Sequence, residues 1–199
     1  QDITERKQAE AALRESEDKF KYLFDNSTVG KSITLLSGEM TVNKALCDMF
    51  GYTETEFKDK KWQEITHPQD IELTQREIEK LLSGEQNSAR FVKRYIHKNG
   101  SVVWVDLSSA LRRDADGKPL YLMTSVIDIT ERKRVEESLR ESEVKFRQTF
   151  ESSPVGIVMV GLDKYFLHCN NAFVNYLGFP AEELVEKTIA DITLPEDRN

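Results

Sequence analysis

The chain has 199 residues, 39% hydrophobic and 32% charged, with a formal net charge of −7. It is more charged than an average globular domain, so part of it must be solvated helix rather than core. Its apolar runs, such as Gly156 to Leu162, fall far short of the roughly 18 residues a bilayer span needs, and the acidic balance argues against a nucleic-acid partner, which asks for a basic stripe.

In chain order, Thr4 to Phe24 reads as a charged amphipathic helix. Arg6, Ala9, Leu13, Ser16, Phe20 and Leu23 recur at alternating spacings of three and four, the narrow seam of a coiled coil. Glu10 and Arg14, four apart, predict an ion pair worth roughly 0.2–0.5 kcal/mol on a solvated face. Two readings stay open for this segment: a connector packed on its own domain, or a dimerising signalling helix. Two short strands follow, Lys31 to Leu36 and Glu39 to Val42, with Gly38 in the tight turn between them. Asn43 is placed to cap a helix that runs through Phe50 and ends at Gly51, and Thr53 to cap another through about Lys60. His67-Pro68-Gln69-Asp70 opens a longer helix with Ile71, Thr74, Ile78 and Leu81 on one face, stopped by Gly84.

The next segments read as an antiparallel meander. Ser88 to His97 and Ser101 to Arg113 are joined at Asn99-Gly100, a strong hairpin signal, and a turn through Asp116-Gly117 leads to the strand Leu120 to Asp128. In the middle strand Val103, Val105, Leu107, Ser109 and Leu111 share one face, and Val102, Trp104, Asp106 and Ser108 share the other. Trp104 on that outer face needs cover, which the N-terminal helix or a second chain is expected to supply.

From Asp128 the chain repeats itself. Asp2 to Gly30 and Asp128 to Gly156 are identical at 18 of 29 positions, and Asn43, Gly51, Pro68 and Asp70 fall opposite Asn170, Gly178, Pro195 and Asp197. A period near 126 residues exceeds the roughly 20–50 of solenoid units and indicates tandem domains. The helix from Thr130 to Phe150 restates the seam through Arg132, Val135, Leu139, Ser142, Phe146 and Thr149. Asn199 falls opposite Glu72, so the second copy is expected to be cut halfway, and a further copy is expected to precede Gln1. The half-copy's hairpin has no larger sheet to join, which predicts marginal stability in isolation.

Asn43 to Tyr52, His67 to Asp70, the Lys98-Asn99-Gly100 hairpin before Val103-Trp104-Val105, Asp116 to Pro119, and the exit phrase Asp128 to Lys133 together resemble a PAS domain with its C-terminal PAC portion. The resemblance implies an α+β PAS fold: a five-stranded antiparallel sheet in spatial order 2-1-5-4-3, helices on one face, long amphipathic linker helices on either side, and a truncated second copy. The expected segments are a linker helix at 1–24, a complete domain at 20–130, an inter-domain helix at 129–150 and a half-domain at 146–199. The implied function is that of a cytoplasmic sensory and relay module in a prokaryotic signal-transduction protein such as a multi-PAS histidine kinase, with a diguanylate cyclase as the other output domain considered. The competing reading is a ligand-free dimerisation scaffold. A homodimer through the linker helices and outer sheet face, and an output domain in the same parent chain, are the expected partners; nucleic acid and direct membrane contact are not expected.

The candidate chemistries narrow further. Haem ligation asks for an axial histidine aimed into the pocket, and His67 sits in a turn before Pro68 where a polar side chain caps or faces water. Neither Cys47 nor Cys169 lies in the motif of a LOV flavin site, and with only three histidines no metal-site spacing exists. The thiols read as reduced and structural. No phosphate-cradling glycine loop and no nucleophile–base cluster is present, so catalytic residues are not expected here. The cofactor is left unassigned. A binding pocket draws on Ile33, Leu46, Met49, Phe50, Phe57, Ile65, Ile78, Phe91, Val105, Leu107 and Leu122, with Ser109 and Thr124 facing inward among them, although a packed core needs the same residues. Signal coupling is expected at Asp128 and Thr130, one or the other of which can cap the exit helix, and at Trp104.

Overall fold

A computed structural model describes residues 3–197, in two compact units, Gln1–Lys133 and Arg134–Asn199. Gln1, Asp2, Arg198 and Asn199, at the ends of the first and last expected segments, lie outside the described residues.

Unit 1 opens with α1 (Ile3–Asp25). Its apolar seam is solvent-facing, with Leu13 60% and Leu23 67% exposed, and Phe24 at its end is buried. Glu10 pairs with Arg6 at 3.4 Å, one turn before the expected Arg14. A sheet of β1 (Gly30–Leu35), β2 (Met40–Val42), β3 (Ser88–Ile96), β4 (Val102–Arg113) and β5 (Pro119–Asp128) follows, antiparallel throughout and ordered β2-β1-β5-β4-β3. Between β2 and β3 come α2 (Lys44–Phe50), α3 (Glu54–Lys58), α4 (Trp62–Ile65), a 3-10 turn (Pro68–Asp70) and α5 (Ile71–Ser83). The turn and α5 replace the single helix read from His67 onward, and α4 is an element the sequence reading lacked.

Local chemistry accounts for these boundaries. Thr53 and Glu56 form a reciprocal capping box at the start of α3. Gly51 ends α2 at φ +74°, and a Cβ there would meet the His97 ring at 2.6 Å, so the position asks for glycine on two counts. Asn43 does more than cap. Its buried Oδ1 accepts from the N–H groups of Lys31 (2.8 Å) and Leu46 (3.1 Å), while its Nδ2 donates to the carbonyls of Phe24 (3.0 Å) and Val29 (2.9 Å). One side chain thereby joins the end of α1, the start of β1 and the start of α2.

The core lies on the inward face of the sheet. Met40, Val42, Val103, Val105, Leu107 and Val126 from the strands pack with Leu46, Phe50, Phe57 and Ile65 from the helices. Phe50 meets Tyr95 at 4.8 Å between ring centroids and Phe57 at 6.4 Å. A second cluster of Leu81, Ala89 and Leu122 lies under α5.

α6 (Thr130–Ser152) starts in unit 1, and its residues from Arg134 belong to unit 2. Unit 2 continues with β6 (Val158–Val160), β7 (Phe166–Cys169), α7 (Asn171–Leu177), α8 (Ala181–Leu184), α9 (Ile189–Ile192) and a 3-10 turn (Pro195–Asp197). Asn170 repeats the role of Asn43: it accepts from Ile157 (2.8 Å) and Phe173 (3.0 Å) and donates to the carbonyls of Phe150 (2.9 Å) and Val155 (2.9 Å). The core of this unit is small. Phe150, Phe166 and Leu184 are buried, while Val155, Met159, Tyr165 and Leu167 stay exposed around the two-stranded sheet.

Candidate functional site

Period-two alternation decides which side chains of unit 1 face inward. On β3 the inward set is Ala89, Phe91, Lys93 and Tyr95; on β4 it includes Leu107 and Ser109; on β5 it includes Leu122 and Thr124. Of these, all but Ala89 line a cavity of about 50 Å³ together with Ser32 and Thr34 of β1, Trp62 of α4, and Thr74, Glu77, Ile78 and Leu81 of α5. The Ser109 and Thr124 hydroxyls, both buried, lie 2.7 Å apart and satisfy one another.

Six of the candidate pocket residues line this cavity: Ile78, Phe91, Leu107, Ser109, Leu122 and Thr124. The other seven do not. Ile33 lies on the outer face opposite Met123, because Ser32 and Thr34 on either side of it face inward; it borders a surface cleft with Phe20 and Phe24 of α1. Leu46, Phe50, Phe57, Ile65 and Val105 sit in the closed core with Met49 packed against it, and they form its filling rather than a cavity wall.

Sequence reasoning missed the one cation in the cavity wall that is deeply buried. Lys93 is 1% exposed, and its Nζ donates to Thr66 Oγ1 (3.1 Å) and Thr74 Oγ1 (3.3 Å). The ammonium lies 4.1 Å from the Tyr95 ring centroid and 5.5 Å from that of Trp62, a cation–π box. Burial pushes this amine down to about 7, against a smaller opposing pull from Asp70. Tyr95 is pushed the other way, its phenol raised by the same burial. The signal was present in the sequence: a β3 strand with Phe91 and Tyr95 inward must also turn Lys93 inward.

Asp70 supports this corner. Its carboxylate takes the Arg94 guanidinium at 2.6 and 3.0 Å and the Arg94 backbone N–H at 2.7 Å, and these bonds hold its pKa below the usual carboxylate range. His67 is half-buried at the start of the 3-10 turn, where its Nδ1 accepts from the Gln69 N–H at 3.4 Å. Burial raises the thiol pKa of both Cys47 and Cys169, which makes them poor nucleophiles.

A second constellation sits where the sheet passes into α6. Asp128 Oδ1 accepts from the Thr130 N–H at 2.7 Å, and the Ile129 N–H donates to the Trp104 carbonyl at 2.9 Å. Of the two side chains it is thus Asp128 that accepts at the start of the helix, while the Thr130 hydroxyl accepts the Trp104 backbone N–H at 3.0 Å, tying the first residue of α6 to β4. Trp104 is half-buried on the outer face. The Arg94 guanidinium lies 5.3 Å and the Lys133 ammonium 6.0 Å from its ring centroid, so the cover includes side chains of unit 1 itself.

Comparison with known proteins places this geometry. Residues 39–126 match a family described as PAS fold, and residues 144–199 one described as PAS domain. The chain is 35% identical over 146 residues to the probable diguanylate cyclase DgcE of Escherichia coli, covering 73% of this chain and 13% of that protein. It is 27% identical over 194 residues to sporulation kinase E of Bacillus subtilis, covering 96% of this chain and 25% of that protein. The crystal structure of a sensory box histidine kinase/response regulator from Burkholderia thailandensis shares the fold with a TM-score of 0.53 at 21% identity, over 65% of this chain and 98% of that one. The chain thus spans a quarter or less of the length of these two curated relatives.

Proposed function

This chain belongs to the PAS family and carries a PAS sensory domain of the kind found in signalling proteins, and from that premise we propose that unit 1 senses a small ligand in its cavity and relays occupancy through α6. The observation that carries this reading is the β4–β5–α6 junction. The strands that line the cavity with Leu107, Ser109, Leu122 and Thr124 are the strands bonded to the start of α6 through Trp104, Ile129 and Thr130. β5 runs covalently into α6, and sliding β4 without the helix would sacrifice these bonds at about 1 kcal/mol each, so strands and helix start favour moving together. The downstream recipient in the parent chain is a histidine kinase or, second, a diguanylate cyclase, a reading supported by relatives named as a sensor histidine kinase and as a probable diguanylate cyclase. The setting is cytoplasmic; among the described residues no helix is long and apolar enough to cross a membrane.

The test is the paired substitution Asp128→Ala and Thr130→Val in the full-length parent. Basal output is expected to persist while the response to stimulus collapses; an unaltered response contradicts the relay.

A dimerisation scaffold is the second reading, supported by the exposed seams of α1 (Leu13, Phe20, Leu23) and α6 (Val135, Leu139, Phe146). Under it, output follows helix length: a seven-residue insertion in α6 preserves signalling and a four-residue insertion changes it, regardless of the junction.

A further inference from the structure

The cavity holds a positive charge that packing alone does not call for. An ammonium has three N–H donors, and two of those of Lys93 go to Thr66 and Thr74. Both hydroxyls are already spent as donors, Thr66 to the Trp62 carbonyl at 2.7 Å and Thr74 to the Asp70 carbonyl at 2.8 Å, so each serves Lys93 purely as an acceptor. No carboxylate among the described residues forms an ion pair with Lys93. Asp70 is engaged by Arg94, and Glu77, the acid in the cavity wall, is engaged by Lys80 at 2.8 Å and Gln86 at 2.9 Å. A buried ammonium served only by neutral acceptors and aromatic faces is a costly arrangement, and an anion arriving at the remaining donor relieves it.

The rest of the wall restricts what that anion can be. Phe91, Ile78, Leu107 and Leu122 present hydrocarbon, and the Ser109–Thr124 pair offers at most one further O–H. An inorganic oxyanion, hydrated on all sides, would find too few donors. The volume of about 50 Å³ exceeds the roughly 10–15 Å³ a single water needs, and is well below the roughly 150 Å³ of a cavity that takes up benzene.

We propose that the cavity of unit 1 binds a short-chain monocarboxylate of two to four carbons, its carboxylate on Lys93 Nζ and its alkyl end against Phe91, Leu107 and Leu122. The proposal rests on the sensing reading and gives it a ligand class. It makes Lys93 the residue that distinguishes acid from neutral isostere, since the acid forms an ion pair with the ammonium where an amide of the same shape offers only a neutral carbonyl acceptor.

The test is titration of the ¹⁵N-labelled chain with sodium propionate, propionamide and sodium phosphate at constant ionic strength and pH 6.5. Propionate is expected to shift the amides of Phe91, Leu107 and Leu122 and to bind at least tenfold more tightly than propionamide. Lys93→Met, which keeps side-chain length without charge, is expected to lose that preference, and Lys93→Gln serves as the second variant should Lys93→Met misfold. Equal affinity for acid and amide in the wild type, a preference that survives in both variants, tighter binding of phosphate, or no shift with propionate overturns the proposal. The two layers separate in the same spectra. Propionamide shifting both cavity and Asp128–Lys133 amides where propionate does neither removes the ligand class and leaves sensing intact. Propionate bound through Lys93 with silent Asp128–Lys133 amides upholds the ligand class and removes the relay.

Discussion

Replacing Lys93 by methionine is expected to stabilise unit 1 at pH 6 and to lose most of that advantage by pH 9. The folded amine titrates near 7 and its ordinary value is 10.5. Below about pH 7 both folded and unfolded chains hold the proton, and the folded state bears the full cost of a buried ammonium. Between about 7 and 10.5 the unfolded chain binds one proton more than the folded one, so wild-type stability rises with pH by up to about 1.4 kcal/mol per pH unit. From pH 6 to pH 9 the gain is about 2–3 kcal/mol, and the methionine variant lacks it. No donor is orphaned by the change, because the Thr66 and Thr74 hydroxyls keep their backbone carbonyl acceptors. Other titrating groups are common to both proteins and cancel in the difference. Urea unfolding followed by tryptophan fluorescence reads unit 1 alone, since both tryptophans, Trp62 and Trp104, lie in it. Parallel stability–pH profiles for wild type and Lys93→Met would refute the burial argument, as would a variant less stable than wild type at pH 6.

Three further expectations follow from the bonds described. Asn43→Ala leaves the Lys31 N–H and the Phe24 and Val29 carbonyls without their Asn43 partner, the Leu46 N–H keeping the residue-43 backbone carbonyl at 3.2 Å; at about 1–3 kcal/mol for each group that water does not reach, a loss of at least about 3 kcal/mol is expected in the tryptophan-monitored transition. Asp70→Asn removes the charge from a mostly buried ion pair. Because the Asp70 pKa is depressed, its contribution is present above the unfolded value of 3.8 and is lost as pH falls through the lower folded value; the variant's acid-unfolding profile should be flatter there, and an identical acid limb counts against the pair. Thr130→Val takes the acceptor from the Trp104 N–H at a cost of about 1 kcal/mol, with faster hydrogen exchange at that amide as the readout.

Much of this architecture is written locally. The Asn99-Gly100 turn, the caps at Asn43 and Thr53 and the alternation along β4 each follow from one residue's conformational or hydrogen-bonding preference, and together they order the strands and helices of unit 1. The junction was legible as Asp128 and Thr130, but not the bond from Thr130 to Trp104, because its partner is 26 residues away across the sheet. The cavity was half legible. Ser109 and Thr124 are inward by alternation, whereas Ile33 reads as inward by its hydrophobicity, against its own strand phase. Lys93 is hidden for the converse reason: a charged residue in a strand reads as solvent-facing, and only the positions of Thr66, Thr74, Trp62 and Tyr95 in three dimensions make its burial tolerable. Phe50 and Phe57 show the remaining gap, since core filling and cavity wall use the same residue types and are told apart only by packing.

The central claim is that the cavity and the start of α6 are mechanically linked through β4 and β5. Its most direct test is amide hydrogen exchange in Ser109→Val, which adds about the volume of the cavity to its wall, compared with wild type. Linkage predicts altered protection, about threefold or more, at Trp104, Ile129 and Thr130 as well as around Ser109, with the β2 amides unchanged. Altered protection confined to the cavity, with the three junction amides exchanging as in the wild type, would contradict it.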